Sequence, residues 1–362
     1  MKKLFFIAAI ASAAIVSCTK NEPATTLTEQ EEITFEAPII GAATKVDLIS
    51  TYPTSLKFGV YGLYYTGAWT GYSDGVKYMD NVEVTYKAAK NGWSAAGYYW
   101  PKTSGSTMTF SAYSPYMTSG VSHTANGIQF TDYTVPAAAN VDLLFSDRTY
   151  NQTKTTEAQG TNPYYGVDIT FNHALSAVLF QAKAAAGLTG NTDTPNYEFV
   201  ITKIEVVGAK TTGTFNQSLV DNTTGPTTPN ASTSDWSTTT ATGIYTAYSG
   251  DGIKVASTNP VSAHTSNTGK ADLILMPQSL TGVKVKVTYK FRHDRMDTGK
   301  YIDGNVVEAN LSYDVDDDTN DVTSWIRGKR YIYTLTIGLD EIYFAPIMDN
   351  WDDVTVPVSE IL

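Results

Sequence analysis

The sequence predicts an all-β protein, organised as two tandem β-sandwich domains of transthyretin-like or Greek-key type. Short segments alternate apolar and polar residues with period two, clusters of Gly, Asn, Asp, Pro and Ser separate them, and stretches of helical period are nearly absent. The alternating segments are filled with β-branched and aromatic residues, which suit a pleated, half-buried surface. Many short strands of this kind, split by turn residues, read as sandwiches.

The chain opens on Met1-Lys2-Lys3, an uncharged run from Leu4 to Val16, and then Ser17-Cys18. Two lysines, a short apolar run and small residues before a cysteine are the layout of a secretory signal ending in a bacterial lipobox. The run is too short and wrongly flanked for a spanning helix. Residues 1–17 are therefore expected to be removed, leaving Cys18 as the acylated mature terminus of an outer-membrane lipoprotein. Several acyl chains on one cysteine meet the requirement for more than one anchoring signal.

Cys18 is the only cysteine among 362 residues, so lipidation leaves no thiol for a disulfide or a thiolate zinc site. The formal charge of −11 becomes −13 when Lys2 and Lys3 leave with the signal, which argues against nucleic acid and anionic membrane surfaces as partners. Residues 18–32, polar and containing Pro23, read as a solvated tether.

Beyond the tether come the strand candidates: Ile33-Thr-Phe35-Glu-Ala37, Leu56 to Leu63, Met108-Thr-Phe110-Ser-Ala112, Val167-Asp-Ile169-Thr-Phe171, Val178-Leu-Phe180-Gln-Ala182, Phe199 to Val207 and Val283-Lys-Val285-Lys-Val287. The polar stretch from Asn151 to Gly160-Thr-Asn-Pro163 marks the expected boundary, giving an N-terminal domain over 33–163 and a C-terminal domain over 164–362. Thr211 to Gly252, crowded with Thr, Ser, Asn, Gly and Pro, reads as a long loop on the second domain.

Both ends of the mature chain carry an apolar stripe. Ile33, Phe35, Ala37 and Ile39 share one face of an amino-terminal strand, and Val354, Val356, Val358 and Leu362 share one face of the last segment, 353–362. Either stripe suits the same kind of slot. Pro357 cannot donate a ladder hydrogen bond, which places the last segment at an edge or on an added strand.

Catalytic chemistry finds no candidate residues, and no metal or cofactor is implied. His123, His173, His264 and His293 lie in different segments without metal-ligand spacing, and His173 reads as a packing or hydrogen-bonding residue. No G-x-S-x-G, Walker A or G-x-G-x-x-G pattern occurs. The acidic run Asp314 to Asp321 departs from an EF-hand, with Thr319 and Trp325 where glycine and glutamate are needed, and reads as a solvated turn. Twenty-four tyrosines and six tryptophans permit stacking on sugar rings, although the run Tyr98-Tyr99-Trp100-Pro101 also suits the closed end of a sandwich.

Several segments together resemble the fimbrillin family, the type V pilins of Bacteroidales: the lipobox, Ile33-Thr-Phe35 leading to Thr44-Lys45, Gly92-Trp93 through Tyr99-Trp100-Pro101 to Phe110-Ser-Ala-Tyr113-Ser-Pro115, and Phe171-Asn-His173-Ala174. Further on come Ile204-Glu-Val-Val-Gly208, Gly213-Thr-Phe215, and Gly328-Lys-Arg-Tyr331-Ile-Tyr333-Thr-Leu ending in Pro346 and Trp351. The resemblance implies two tandem sandwiches in a surface fimbria. It also implies travel as a lipoprotein, loss of the first strand by cleavage after a basic residue, and polymerisation when a neighbour's strand fills the groove. The family's cleavage residue is arginine, whereas the matching position here is Lys45.

On this reading Ile33, Phe35, Ala37 and Ile39 belong to the released strand, and Val354, Val356, Val358 and Leu362 to the donor. The partners are other fimbrial subunits, a trypsin-like processing protease, the outer membrane through the acyl chains, and a host or bacterial surface ligand. The competing reading is a monomeric surface lipoprotein that binds glycans.

Overall fold

The computed structural model describes residues 31–36, 38–40, 50–89, 92–154, 166–218, 236–263, 273–304, 306–313, 321–339 and 342–350. Residues Glu32–Leu362 form one compact unit. The all-β prediction holds: the described residues form 26 strands and one short 3-10 turn, Tyr72–Asp74.

The first sheet system contains β1 (Glu32–Phe35), β2 (Ile39–Ile40), β3 (Ser50–Thr51), β4 (Phe58–Tyr65), β5 (Val76–Lys87), β6 (Gly92–Tyr99) and β7 (Thr107–Ser114). β5 is long enough to serve two faces: residues 76–84 pair with β4 and residues 85–87 with β6. Its bend falls at Asn81, whose φ of 53° is a left-handed conformation that asparagine tolerates. The Asn81 amide is held there, donating to the Met117 carbonyl at 3.0 Å and accepting from the Tyr113 hydroxyl at 2.6 Å.

Next follow β8 (Val121–Thr124), β9 (Gly127–Thr134), β10 (Leu144–Ser146), β11 (Thr149–Gln152) and β12 (Thr170–His173). β10 and β12 continue the first sheet, whose order is β1-β6-β5-β4-β7-β10-β12-β2-β3, with β11 also on β7. Pairing therefore carries this sheet past residue 163, the boundary expected from composition.

The remainder comprises β13 (Ser176–Ala184), β14 (Tyr197–Lys210), β15 (Thr212–Asn216), β16 (Trp236–Thr238), β17 (Thr242–Val255), β18 (Val261–Ser262), β19 (Leu273–Leu275) and β20 (Gln278–Ser279). After these come β21 (Lys284–His293), β22 (Ile302–Asp303), β23 (Val307–Asn310), β24 (Ser324–Trp325), β25 (Lys329–Ile337) and β26 (Ile342–Asn350). One sheet runs β18-β13-β25-β26 and another β17-β14-β21-β22, with β19 and β23 as side branches; a smaller pair joins β20 to β24. Alternation does the sorting on β21, where Val285, Val287 and Tyr289 are buried and Lys284 is exposed.

Thr211 to Gly252, expected as a loop, contains β15, β16 and most of β17. Threonine is β-branched, and every second position, Gly213 and Phe215 and likewise Tyr245 and Ala247, faces inward. β15 pairs with β9, so a four-stranded sheet, β16-β15-β9-β8, ties the early strands to the later ones.

Two large cores and a small satellite of Leu63, Tyr65 and Trp69 form among the described residues, and the β4-β7-β10 layer lies between the two large ones. Phe58, Val60, Phe110, Ala112 and Leu144 enter one core, whereas Tyr61, Tyr113 and Phe145 enter the other together with Phe180, Phe215, Tyr331 and Tyr333. This explains why β4 and β7 are buried on both faces instead of half-buried.

Candidate functional site

The seam of the first sandwich is closed by the chain segment from Glu32 to Ile40. β1 begins the described sheet path and β2 lies near its other end, between β12 and the last strand, β3, so one short chain segment serves both sides of the sheet. On one flank β1 is antiparallel to β6, with Thr34 opposite Ser94 and Phe35 opposite Trp93. On the other flank Phe35 bridges Val167 in parallel, and β2 continues in parallel along β12 with Ile39 opposite Thr170 and Ile40 opposite Phe171. The Val167 N–H donates to the Thr34 carbonyl at 2.9 Å, and the Glu36 N–H donates to the Val167 carbonyl at 3.2 Å.

Sequence alternation makes this segment fit. Ile33 and Phe35 are fully buried, while Thr34 between them is not. Phe35 meets Phe58 edge-on at 5.8 Å and Phe110 at 5.5 Å between ring centroids, the T-shaped geometry that aromatic quadrupoles favour. The expected single stripe from Ile33 to Ile39 is interrupted: Pro38, which has no N–H for a ladder, separates β1 from β2. Ile33 and Phe35 share the core. Ile39 sits in the next strand along the seam, and Ala37 lies outside the described residues, as do Cys18, Lys45, Val354, Val356, Val358 and Leu362.

Sequence reasoning missed the far wall of the slot. Gly166 lies so close to β1 that an added Cβ would stand 2.5 Å from the Phe35 carbonyl carbon and 2.6 Å from the Glu36 nitrogen. Gly166→Ala is expected to push β1 outward and cost about 1–3 kcal/mol, the range for overpacking. Equilibrium denaturation checks this, and an unchanged midpoint would contradict the close fit.

The slot also carries an electrostatic feature. Burial, and then the neighbouring Asp168 carboxylate, push the Glu36 carboxyl up to about 7.

Near the other end of the chain, β26 pairs along its full length with β25 and ends its sheet's path.

Other candidates resolve into packing. His173 Nδ1 lies 2.9 Å from an Asp142 carboxylate oxygen, the local partnership expected of it. His123 stacks on Tyr61 at 5.3 Å and is pushed down to about 3 by burial and by the charges of Arg148 and Lys77. No group of three His, Cys, Asp or Glu suited to a metal ion occurs among the described residues. Trp69, Trp93, Trp100, Trp236 and Trp325 are each less than a tenth exposed, so the described tryptophans serve cores and offer no stacking platform. Of the aromatic run, Trp100 packs on Phe110, and Tyr98 meets the exposed Tyr78 edge-on at 5.7 Å. The acidic run from Asp314 lies mostly outside the described residues.

An all-β fold closed along its seam by its own first strand defines a sandwich protein with a strand-filled groove. Across residues 44–351 the chain matches the model of the fimbrillin-like family, and it belongs to that family. Among solved structures, it is similar to a fimbrial protein of Bacteroides vulgatus ATCC 8482, with 16% identity over 88% of this chain and 99% of that one, at a TM-score of 0.54. A candidate cell adhesion protein of Bacteroides uniformis ATCC 8492 matches with 18% identity over 89% of this chain and 97% of that one, at a TM-score of 0.46. No curated protein matches the sequence.

Proposed function

We propose that this chain is a structural, non-catalytic subunit of a bacterial surface fimbria that serves adhesion. It is exported as an outer-membrane lipoprotein through Cys18 and assembled by strand exchange after cleavage at Lys45. One observation carries the reading: the leading strand fills a slot between β6 and residues 166–171 with Ile33 and Phe35 in the core, so its loss opens a groove of that shape. Residues 353–362 of another subunit, through Val354, Val356, Val358 and Leu362, supply a comparable stripe. Membership of the fimbrillin-like family and the fold shared with a fimbrial protein support the same reading.

Cleavage after Lys45 comes beyond β2, so the freed piece carries both β1 and β2 and the whole seam opens. The protease required is of trypsin-like specificity, and the partners are other fimbrial subunits. Deleting residues 353–362 is expected to leave a folded, exported monomer that forms no fibre, read by electron microscopy and size-exclusion chromatography. Normal fibres from the deletion would defeat the reading.

A further inference from the structure

The charge of the chain is unevenly placed. Although the formal total is −11, cations outnumber carboxylates on the outer face of the β17-β14-β21-β22 sheet. Along β21 the side chains at 285, 287 and 289 enter the core, which leaves Lys284, Lys286, Lys290 and Arg292 on the other face at alternate positions. Pairing brings Lys203 of β14 and Lys254 of β17 to the same face, the first opposite Thr288 and the second, like Lys290, opposite Val200. Val200 is only 4% exposed although it belongs to none of the cores. The two lysines flank it in register, and their aliphatic stems suit such cover while the ammonium groups stay in water.

Part of this positive charge is neutralised within the face. Lys203 meets Glu205 at 2.6 Å, and Lys284 meets Glu308 at 3.6 Å. Arg292 grips Glu198 with Nε at 3.2 Å and a terminal nitrogen at 3.3 Å, and the Tyr301 hydroxyl donates to the same carboxylate. That leaves Lys254, which reaches the occupied Glu198 only at 3.9 Å, together with Lys286 and Lys290, which form no ion pair among the described residues. Against these three, pairing brings Asp303 of β22 opposite Lys290. The Lys290 ammonium lies instead over the Tyr301 ring, 4.9 Å from its centroid.

We propose that this face docks an anionic polysaccharide, one bearing carboxylate or sulfate groups at intervals, with Lys254, Lys286 and Lys290 as the anchoring charges. The inference rests on the adhesive part of the proposed function and gives it a ligand class. From ordinary strand rise and spacing, Lys286 and Lys290 stand about 13–14 Å apart along β21, and Lys254 and Lys290 about 10 Å apart across the sheet. Duplex nucleic acid carries a charge every ~1.7 Å and is held through about 6–10 contacts, a density this face does not match. An acidic peptide brings backbone N–H and C=O groups, for which a sheet face whose own are spent on ladders has no partners. A sugar chain brings hydroxyls instead, and Thr288, Thr246 and Ser249 stand among the cations in register to meet them. At about 0.1 M salt, charges more than about 10 Å away are screened, so the local excess governs contact despite the acidic total.

Calorimetric titration of the uncleaved chain with polygalacturonate, dextran sulfate, uncharged dextran and polyglutamate tests the assignment. Both anionic polysaccharides are expected to bind, with affinity falling about tenfold or more between about 0.1 and about 0.5 M salt, and dextran is expected not to bind. The triple variant Lys254→Gln, Lys286→Gln, Lys290→Gln is expected to lose affinity about tenfold or more. Removing the same charge from the first sandwich, at the exposed Lys77, Lys87 and Lys102, is expected to leave binding as in wild type. Arginine at the three anchoring positions keeps the charges and is expected to keep binding. Absence of binding by the wild type, equal loss in both glutamine triples, or dextran bound as well as its sulfate overturns the assignment. Polyglutamate bound as tightly as polygalacturonate overturns it too, in favour of an acidic protein partner. The chain is uncleaved throughout, so such a failure leaves fibre assembly standing. The expected pattern in a protein that never assembles keeps the docking face and sinks the fibre reading.

Discussion

Phe35→Ala is expected to lower the stability of the unprocessed chain by about 3–5 kcal/mol, the usual cost of emptying a buried aromatic site. Phe35 is only 1% exposed and meets Phe58 and Phe110 edge-on, so truncation leaves a cavity between rings that are themselves fixed by neighbours. Phe58 is held in turn by Trp93 at 5.5 Å and Phe171 at 5.8 Å, and cannot easily collapse into the gap. Thr34→Ala, on the opposite face of the same strand, serves as the comparison and is expected to cost no more than about 1 kcal/mol, the span of strand propensity. Denaturant titration checks both through the midpoint at constant slope. A loss under about 1 kcal/mol for Phe35→Ala would mean that the first strand contributes little to its core.

Much of the fold is legible in the residues themselves. Ile33 and Phe35, Met108, Phe110 and Ala112, and Val285 and Val287 occupy buried faces as their alternation requires. The same rule fails where a sheet is packed on both sides. β4 and β7 are read from their sequence as half-buried, yet Tyr61 and Tyr113 are buried opposite Phe58 and Phe110, because the layer separates two cores. The threonine-rich stretch after Thr211 misleads for a different reason. Its polarity suggests solvent, but β-branching with an aromatic or small residue at every second position suffices to build strands.

The candidate site was half legible. The stripe Ile33 to Ile39 marks a leading strand, but it reads as unbroken, whereas β1 and β2 are separate strands on either side of Pro38. Its wall at Gly166 and Val167 could not be read, because residues more than 125 positions away in sequence come beside β1 only through the return of the chain along β12. The Glu36–Asp168 pair is invisible for the same reason: neither carboxyl is unusual in its own segment.

The strand-exchange account rests on the groove being worth filling again. Burying three or four apolar side chains in it contributes on the order of 6–10 kcal/mol, taking about 1.5–3 kcal/mol for each, before backbone pairing is added. The loss of freedom on joining two subunits offsets part of this. Refilling the slot from a neighbour is thus favourable once the first strand has gone. On this proposal an intact first strand, covalently attached and already seated, excludes the neighbour.

Limited trypsin digestion of the mature protein, followed by electrophoresis under mild denaturing conditions, tests that claim most directly. The account predicts a cut after Lys45 together with a ladder of denaturant-resistant oligomers, absent before digestion and absent from the chain lacking residues 353–362. Complete cleavage at Lys45 with every molecule remaining a monomer would contradict it.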